Sequence, residues 1–132
     1  MKKTLKIVAV MLVAIMSLAM LVACAPASDP DKAVAALKKD GYEAAKVDSV
    51  LGLGGLVCTV SGTKIVTDKE GNKKVETVTI HYYGSSDQAA AAFETVKSDS
   101  EKDDNKNESD WTVAKSGKMV YYGTKAAINA AR

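Results

Sequence analysis

Two β-branched runs, Leu56–Thr67 and Lys74–Tyr83, flank the polar cluster Asp68-Lys69-Glu70-Gly71-Asn72. Such runs around turn-forming residues read as a β-hairpin with a loop longer than two residues. In the second run Val78, Ile80 and Tyr82 alternate with Thr77, Thr79 and His81. Successive side chains of a strand point to opposite faces, so one face is apolar and the other polar. That pattern suits an antiparallel sheet covered on one side only, with His81 in solvent beside Thr79.

The rest of the chain supplies the cover. Asp29 is an N-cap, Pro30 takes the first helical position and Asp31 favours the positive end of the helix dipole. Ala33, Val34, Ala36 and Leu37 give this helix a narrow apolar stripe, and Gly41 stops it. Tyr42 to Val47 reads as a short strand. Ser85 and Gln88 form a capping-box pattern ahead of Ala89, Ala92, Phe93 and Val96, spaced for one helix face. Two more strands, Trp111-Thr112-Val113 and Lys118-Met119-Val120-Tyr121-Tyr122, flank a Ser116-Gly117 turn, and Thr124 caps a last helix burying Ala127, Ile128 and Ala131. The order αβββαββα predicts one α+β domain: a single antiparallel sheet of about five strands with helices on one face. A chain of 132 residues has room for one such domain.

The first 24 residues are of another kind. Lys2, Lys3 and Lys6 precede an unbroken apolar or small run from Ile7 to Ala23, which is the pattern of an export signal. The run ends in Leu21-Val22-Ala23-Cys24. This tetrapeptide resembles the lipobox of bacterial membrane lipoproteins, and the long leader is similar to those of Gram-positive surface lipoproteins. The resemblance implies that the Cys24 thiol receives a diacylglycerol and that a peptidase then cuts just before it. Residues 1–23 would be a cleaved signal peptide, 24–29 the lipidated cysteine and a short linker, and 30–132 the domain. Two acyl chains give stable anchoring where one gives only marginal residence. The alternatives are an ordinary secretory signal cut elsewhere, for example after Ala27, or a retained helix. From Cys24 to Pro30 the linker spans at most roughly 20 Å, which keeps the domain close to the bilayer.

Charge and cysteine usage narrow the classes further. Three of the 18 basic residues and none of the 16 acidic ones lie in the first 23 positions, which leaves 15 bases against 16 acids from Cys24 onward. No cationic excess remains to hold a phosphate backbone, so a nucleic-acid partner is disfavoured. Once Cys24 is acylated, Cys58 has no partner. It shares a face with Leu56 and Val60 and reads as a small buried hydrophobe, a Cys24–Cys58 disulfide being the rival.

Catalytic patterns are thin. His81 is the one imidazole. Ser61-Gly62-Thr63-Lys64 matches the S-x-x-K spacing of serine acyl-enzymes but lies in a strand and lacks the companion motifs. Gly52, Gly54 and Gly55 satisfy neither phosphate-loop pattern and read as a flexible turn. On that turn, near lipid, Leu51 and Leu53 are candidates to touch a membrane or a partner. Asp103, Asn105 and Asn107 imitate the first three ligands of a calcium loop. However, Glu108 stands where its glycine belongs and Ala114 where its bidentate glutamate belongs, so Ser98–Asp110 reads as a solvated acidic loop.

Tyr82, Tyr83, Trp111, Tyr121 and Tyr122 are five of the seven aromatic residues after Cys24. Core packing and sheet cover are their plain roles. If the two Tyr-Tyr strands ran parallel, both pairs would lie at one end of the sheet, the first place to look for a binding surface.

These readings converge on a lipid-anchored protein on the extracytoplasmic face of the cell membrane. It would be a non-catalytic binding, adaptor or inhibitor module for an envelope protein or small ligand, with no metal and no cofactor beyond the covalent diacylglycerol on Cys24. The alternative is a small cell-envelope hydrolase using His81 with a carboxylate from Ser98–Asp110.

Overall fold

The computed structural model describes residues 25–103, 106 and 110–132. Helix α1 (Pro30–Lys39) is followed by β1 (Glu43–Asp48), a 3-10 turn (Leu53–Gly55), β2 (Leu56–Thr67), β3 (Lys73–Tyr83), α2 (Ser86–Ser100), β4 (Trp111–Ser116), β5 (Met119–Thr124) and α3 (Lys125–Ala130). The strands form one sheet in the order β1-β2-β3-β5-β4, every neighbouring pair antiparallel. The class, the strand number and the element order match the sequence reading.

The ends of α1 obey local chemistry. Asp29 Oδ1 accepts from the Asp31 amide at 2.9 Å. At the other end the amides of Tyr42 and Gly41 donate to the Leu37 and Lys38 carbonyls, with Gly41 at φ +86°. That Schellman closure needs a residue at ease in the left-handed region. Ala33 and Leu37 are fully buried against the sheet.

The layering differs from expectation. Helices α1 and α3 cover the first face, over Cys58, Val60, Val78, Ile80, Tyr82, Met119 and Tyr121. Helix α2 instead covers part of the second face, where Ala89 and Val96 bury Tyr83 and Val120 with Leu56, Ala92, Phe93 and Tyr122 around them. The threonines and His81 of β3 made that face look open to water. Beneath α2 that face is nonetheless apolar, lined by side chains from β5 and the ends of β2 and β3. The interior strand β5 is buried on both sides. Its continuous apolar run Met119-Val120-Tyr121-Tyr122, with no alternation, is the sequence mark of a strand covered twice.

Two further differences concern boundaries. Ser98–Ser100, expected in the acidic loop, form the last turn of α2, where Ser100 is fully buried and its hydroxyl donates to the Lys97 carbonyl at 2.8 Å. The segment expected to be a linker is instead part of the domain. Pro26 is buried, Ala25 and Ala27 pack on the first-face core, and the Ala27 amide donates to the Ala131 carbonyl at 2.8 Å. Among the described residues the packed domain therefore includes Ala25–Ala27, ahead of residue 30. Cys24 and the leader lie outside the described residues. Among the described residues no helix is long and apolar enough to cross a membrane.

Candidate functional site

Helix α2 lies over β3, β5 and β4, and the β2 side of the second face carries a strip of hydroxyls. Thr59, Ser61 and Thr63 stand on β2 opposite His81, Thr79 and Thr77 on β3. Thr59, Thr77, Thr79 and His81 are half-buried, and Ser61 and Thr63 are exposed. Strand alternation together with this register puts these six side chains on one face. Neighbouring hydroxyls are coupled: Thr63 and Thr77 Oγ1 lie 3.4 Å apart, and Thr77 Oγ1 donates to the Gly62 carbonyl at 3.2 Å.

His81 sits at the boundary between this strip and the α2 layer. Its Nδ1 shares a hydrogen bond with Thr59 Oγ1 at 2.9 Å. Burial lowers its pKa below the usual histidine value, with the charge of Asp99 acting in the opposite sense. The imidazole is therefore neutral at neutral pH. It is not the freely solvated histidine expected from β3 alone, because α2 screens that part of the face.

Tyr122 extends the site inward. Its ring lies 6.3 Å from that of His81 and 6.0 Å from that of Trp111, both tilted. Tilted rings at these separations are favourable aromatic pairs. The Trp111 Nε1–H is buried and has no hydrogen-bond partner among the described residues.

The five aromatics therefore separate. Tyr82 and Tyr121 are buried in the first-face core, Tyr83 is buried beneath α2, and only Tyr122 and Trp111 stay half-buried. Strands β3 and β5 run antiparallel, with Ile80 opposite Tyr121 and Tyr82 opposite Met119, so the two Tyr-Tyr pairs do not meet at one end. The two Tyr-Tyr-Gly-hydroxyl segments also differ in use. Ser85 Oγ caps α2 by accepting from the Gln88 amide at 3.2 Å. Thr124 Oγ1 instead accepts from the Thr77 amide at 3.2 Å across the sheet, and gives α3 no side-chain cap.

Other candidate chemistry is dispersed. Cys58 is a buried free thiol whose pKa is pushed up by burial. Asn105 and Asn107 of the calcium-like pattern lie outside the described residues. Among the described residues no group of three or more His, Cys, Asp or Glu side chains could hold a metal ion. The residues that sequence reasoning missed are at the far end of the sheet. There Lys74 Nζ bridges buried Glu76 at 3.4 Å and Asp110 at 3.3 Å. Glu76 continues the Val78–Ile80–Tyr82 face, and this register was the available signal for an acid pointing inward. An open groove of about 480 Å³ between α1 and α3 is lined by Ala36, Lys39, Asp40, Ala126, Asn129, Ala130 and Arg132, and gathers helix ends rather than reactive groups.

Comparison with protein-family models, with curated proteins and with solved structures finds no match to this chain.

Proposed function

We propose that this chain is a lipid-anchored protein on the extracytoplasmic face of the cell membrane, acting there as a non-catalytic binding, adaptor or inhibitor module. The observation that carries the reading is Leu21-Val22-Ala23-Cys24 at the end of an apolar run behind three lysines. Two acyl chains on Cys24 would hold the domain at the bilayer with no further machinery. The packing of Ala25 and Ala27 on the core supports a short tether, because a domain so attached meets partners at, or delivered to, the membrane surface.

The hydroxyl strip of β2 and β3 is the recognition face in this reading. It offers donors and acceptors at strand spacing, a neutral imidazole and the edge of Tyr122. That chemistry suits a polar, hydrogen-bonding partner rather than an apolar one.

Intact mass of the membrane-extracted protein tests the anchor. Cleavage before Cys24 with a diacylglyceryl increment is expected, and a mature start elsewhere without lipid overturns it. Capture from solubilised membranes tests the binding face. A partner held by the wild type and lost from Thr59→Lys and Ser61→Lys is expected, whereas no partner together with measurable substrate turnover overturns the non-catalytic reading.

One contact favours a second reading, the small hydrolase. Thr59 Oγ1 lies within hydrogen-bond distance of a neutral imidazole that also feels the charge of Asp99, a member of the acidic stretch. Hydroxyl, base and carboxylate in that relation are the parts of an acyl-transfer site. In that case His81→Ala and Thr59→Val would each abolish turnover, while partner binding through the strip would survive His81→Ala.

A further inference from the structure

One row of the sheet register runs Asp48, Cys58, Tyr82, Met119, Ser116. Two features of the molecule sit at this end. The first is the segment Ala25–Ala27: the Tyr82 hydroxyl donates to the Ala27 carbonyl at 2.8 Å. Cys24 precedes Ala25 in the sequence. The second is the connection from β1 to β2, which leaves the sheet at Asp48 and returns at Leu56.

That connection is apolar and exposed. Val50 is 96% exposed, Leu51 79% and Leu53 73%, with exposed Val47 and Val57 at its base. From Ser49 to Cys58 the sequence has no charged residue, in a chain of which 26% is charged. Exposed apolar side chains gathered on one uncharged loop mark a contact surface.

The loop is also held in shape. The Ser49 amide donates to the Val57 carbonyl at 2.9 Å and the Gly52 amide to Ser49 Oγ at 3.1 Å. The Gly84 amide donates to the Gly55 carbonyl at 2.9 Å, tying the 3-10 turn to the end of β3. A Cβ on Gly55 would fall 2.1 Å from Gln88 Cδ, so the side chain that opens α2 fills the place a larger residue would need. The leucines are thus displayed on a braced support, and burying them costs little ordering entropy.

We infer that the Val50–Leu53 loop is a second membrane contact, inserting its leucines at the boundary of headgroups and acyl chains. The inference rests on the lipid-anchored reading for the bilayer's proximity. What commits the loop to lipid is that the row from which it leaves, Asp48–Cys58–Tyr82, also holds Ala27, three residues after Cys24 in sequence, through the Tyr82 hydroxyl. Exposed Lys118 on the β4–β5 turn adds one cation at this end, but Asp48 and Asp87 stand there too. Binding is therefore driven by apolar area rather than by charge, and it is insensitive to salt.

The test uses the full chain in phosphatidylcholine–phosphatidylglycerol vesicles. A bimane fluorophore is placed at Leu53→Cys, and at Asn72→Cys in the β2–β3 turn at the far end. Intact mass of the same samples reports lipidation at Cys24. The expected result is bimane at position 53 quenched by spin-labelled lipid and unaffected by 0.5 M salt, with the label at 72 unquenched. Leu51→Ser in the Leu53→Cys protein should weaken that quenching, because less apolar area enters the bilayer. A label at 53 as solvent-exposed as the one at 72, on protein whose mass includes the diacylglyceryl group, overturns the loop contact and leaves the anchor standing. Quenching at 53 on protein that carries no lipid supports the loop contact and refutes the anchor, and no quenching on protein that carries no lipid refutes both.

Discussion

The Tyr82 hydroxyl donates a hydrogen bond to the Ala27 carbonyl at 2.8 Å, joining residues 55 apart in sequence. Burial holds the Tyr82 phenol far above its ordinary pKa, with Cys58 and Asp29 adding to the effect, so the hydroxyl keeps its proton and remains a donor. Tyr82→Phe should cost about 1 kcal/mol, the net worth of one such bond. It should also release the first residues of the domain, read as faster amide exchange at Ala27 with the β3 amides unchanged.

Gly62 lies beneath Leu37, where an added Cβ would come within 2.9 Å of Leu37 Cδ1. Gly62→Ala should therefore destabilise by about 1–3 kcal/mol through overpacking. Leu37→Ala alone should cost about 2–5 kcal/mol through the cavity it leaves. The double variant should be more stable than the sum of the two losses implies, because the new methyl enters the vacated space. Urea midpoints of the four proteins check this.

Gly123 has φ +148°, and a Cβ there would meet the Thr77 carbonyl oxygen at 2.1 Å and Val78 Cα at 2.8 Å. Both obstacles are backbone of the paired strand and cannot swing aside. Gly123→Ala should destabilise by about 3 kcal/mol or more and lower Tm by roughly 10 °C or more. Differential scanning calorimetry would measure it, and an unchanged Tm would contradict the close β3–β5 approach.

His81 makes stability depend on pH with a definite sign. Burial depresses its folded-state pKa below the unfolded value of about 6.5. The unfolded chain therefore binds the proton better as pH falls. Its contribution is complete above pH about 6.5 and is lost progressively as the pH drops toward the folded value. Denaturation midpoints at pH 8 and pH 5 should differ in that direction, and His81→Gln should remove that share of the difference.

Cys58 should be chemically silent in the native protein, since it is buried and its thiol is held protonated. With Cys24→Ser protein, thiol modification should be negligible without denaturant and should rise with urea in parallel with unfolding. Fast native labelling would place Cys58 outside the core.

Much of this architecture was legible from local patterns. The β2–β3 hairpin followed from alternation, and the ends of α1 from Asp29, Pro30 and Gly41. The capping role of Ser85 followed from Gln88 three residues later. The hydroxyl strip was legible only in part: alternation put Thr77, Thr79 and His81 on one face. Their β2 partners Thr59, Ser61 and Thr63 needed the register. Thr124 misled, because a hydroxyl before a helix reads as a cap unless a strand amide competes for it, and here Thr77 does.

Helix caps, glycine stops and side-chain alternation act within a few residues, so most helix and strand segments were written in local sequence, as was the uncharged run from Ser49 to Cys58. Long-range packing set the rest: α2 crosses to the second face, β5 pairs antiparallel with β3, and Tyr82, in the register row beside the Val50–Leu53 loop, holds Ala27. Those outcomes depend on contacts between residues far apart in the chain. A side chain such as Val120 or Tyr83 contributes to a buried patch only once register sets it beside its neighbours.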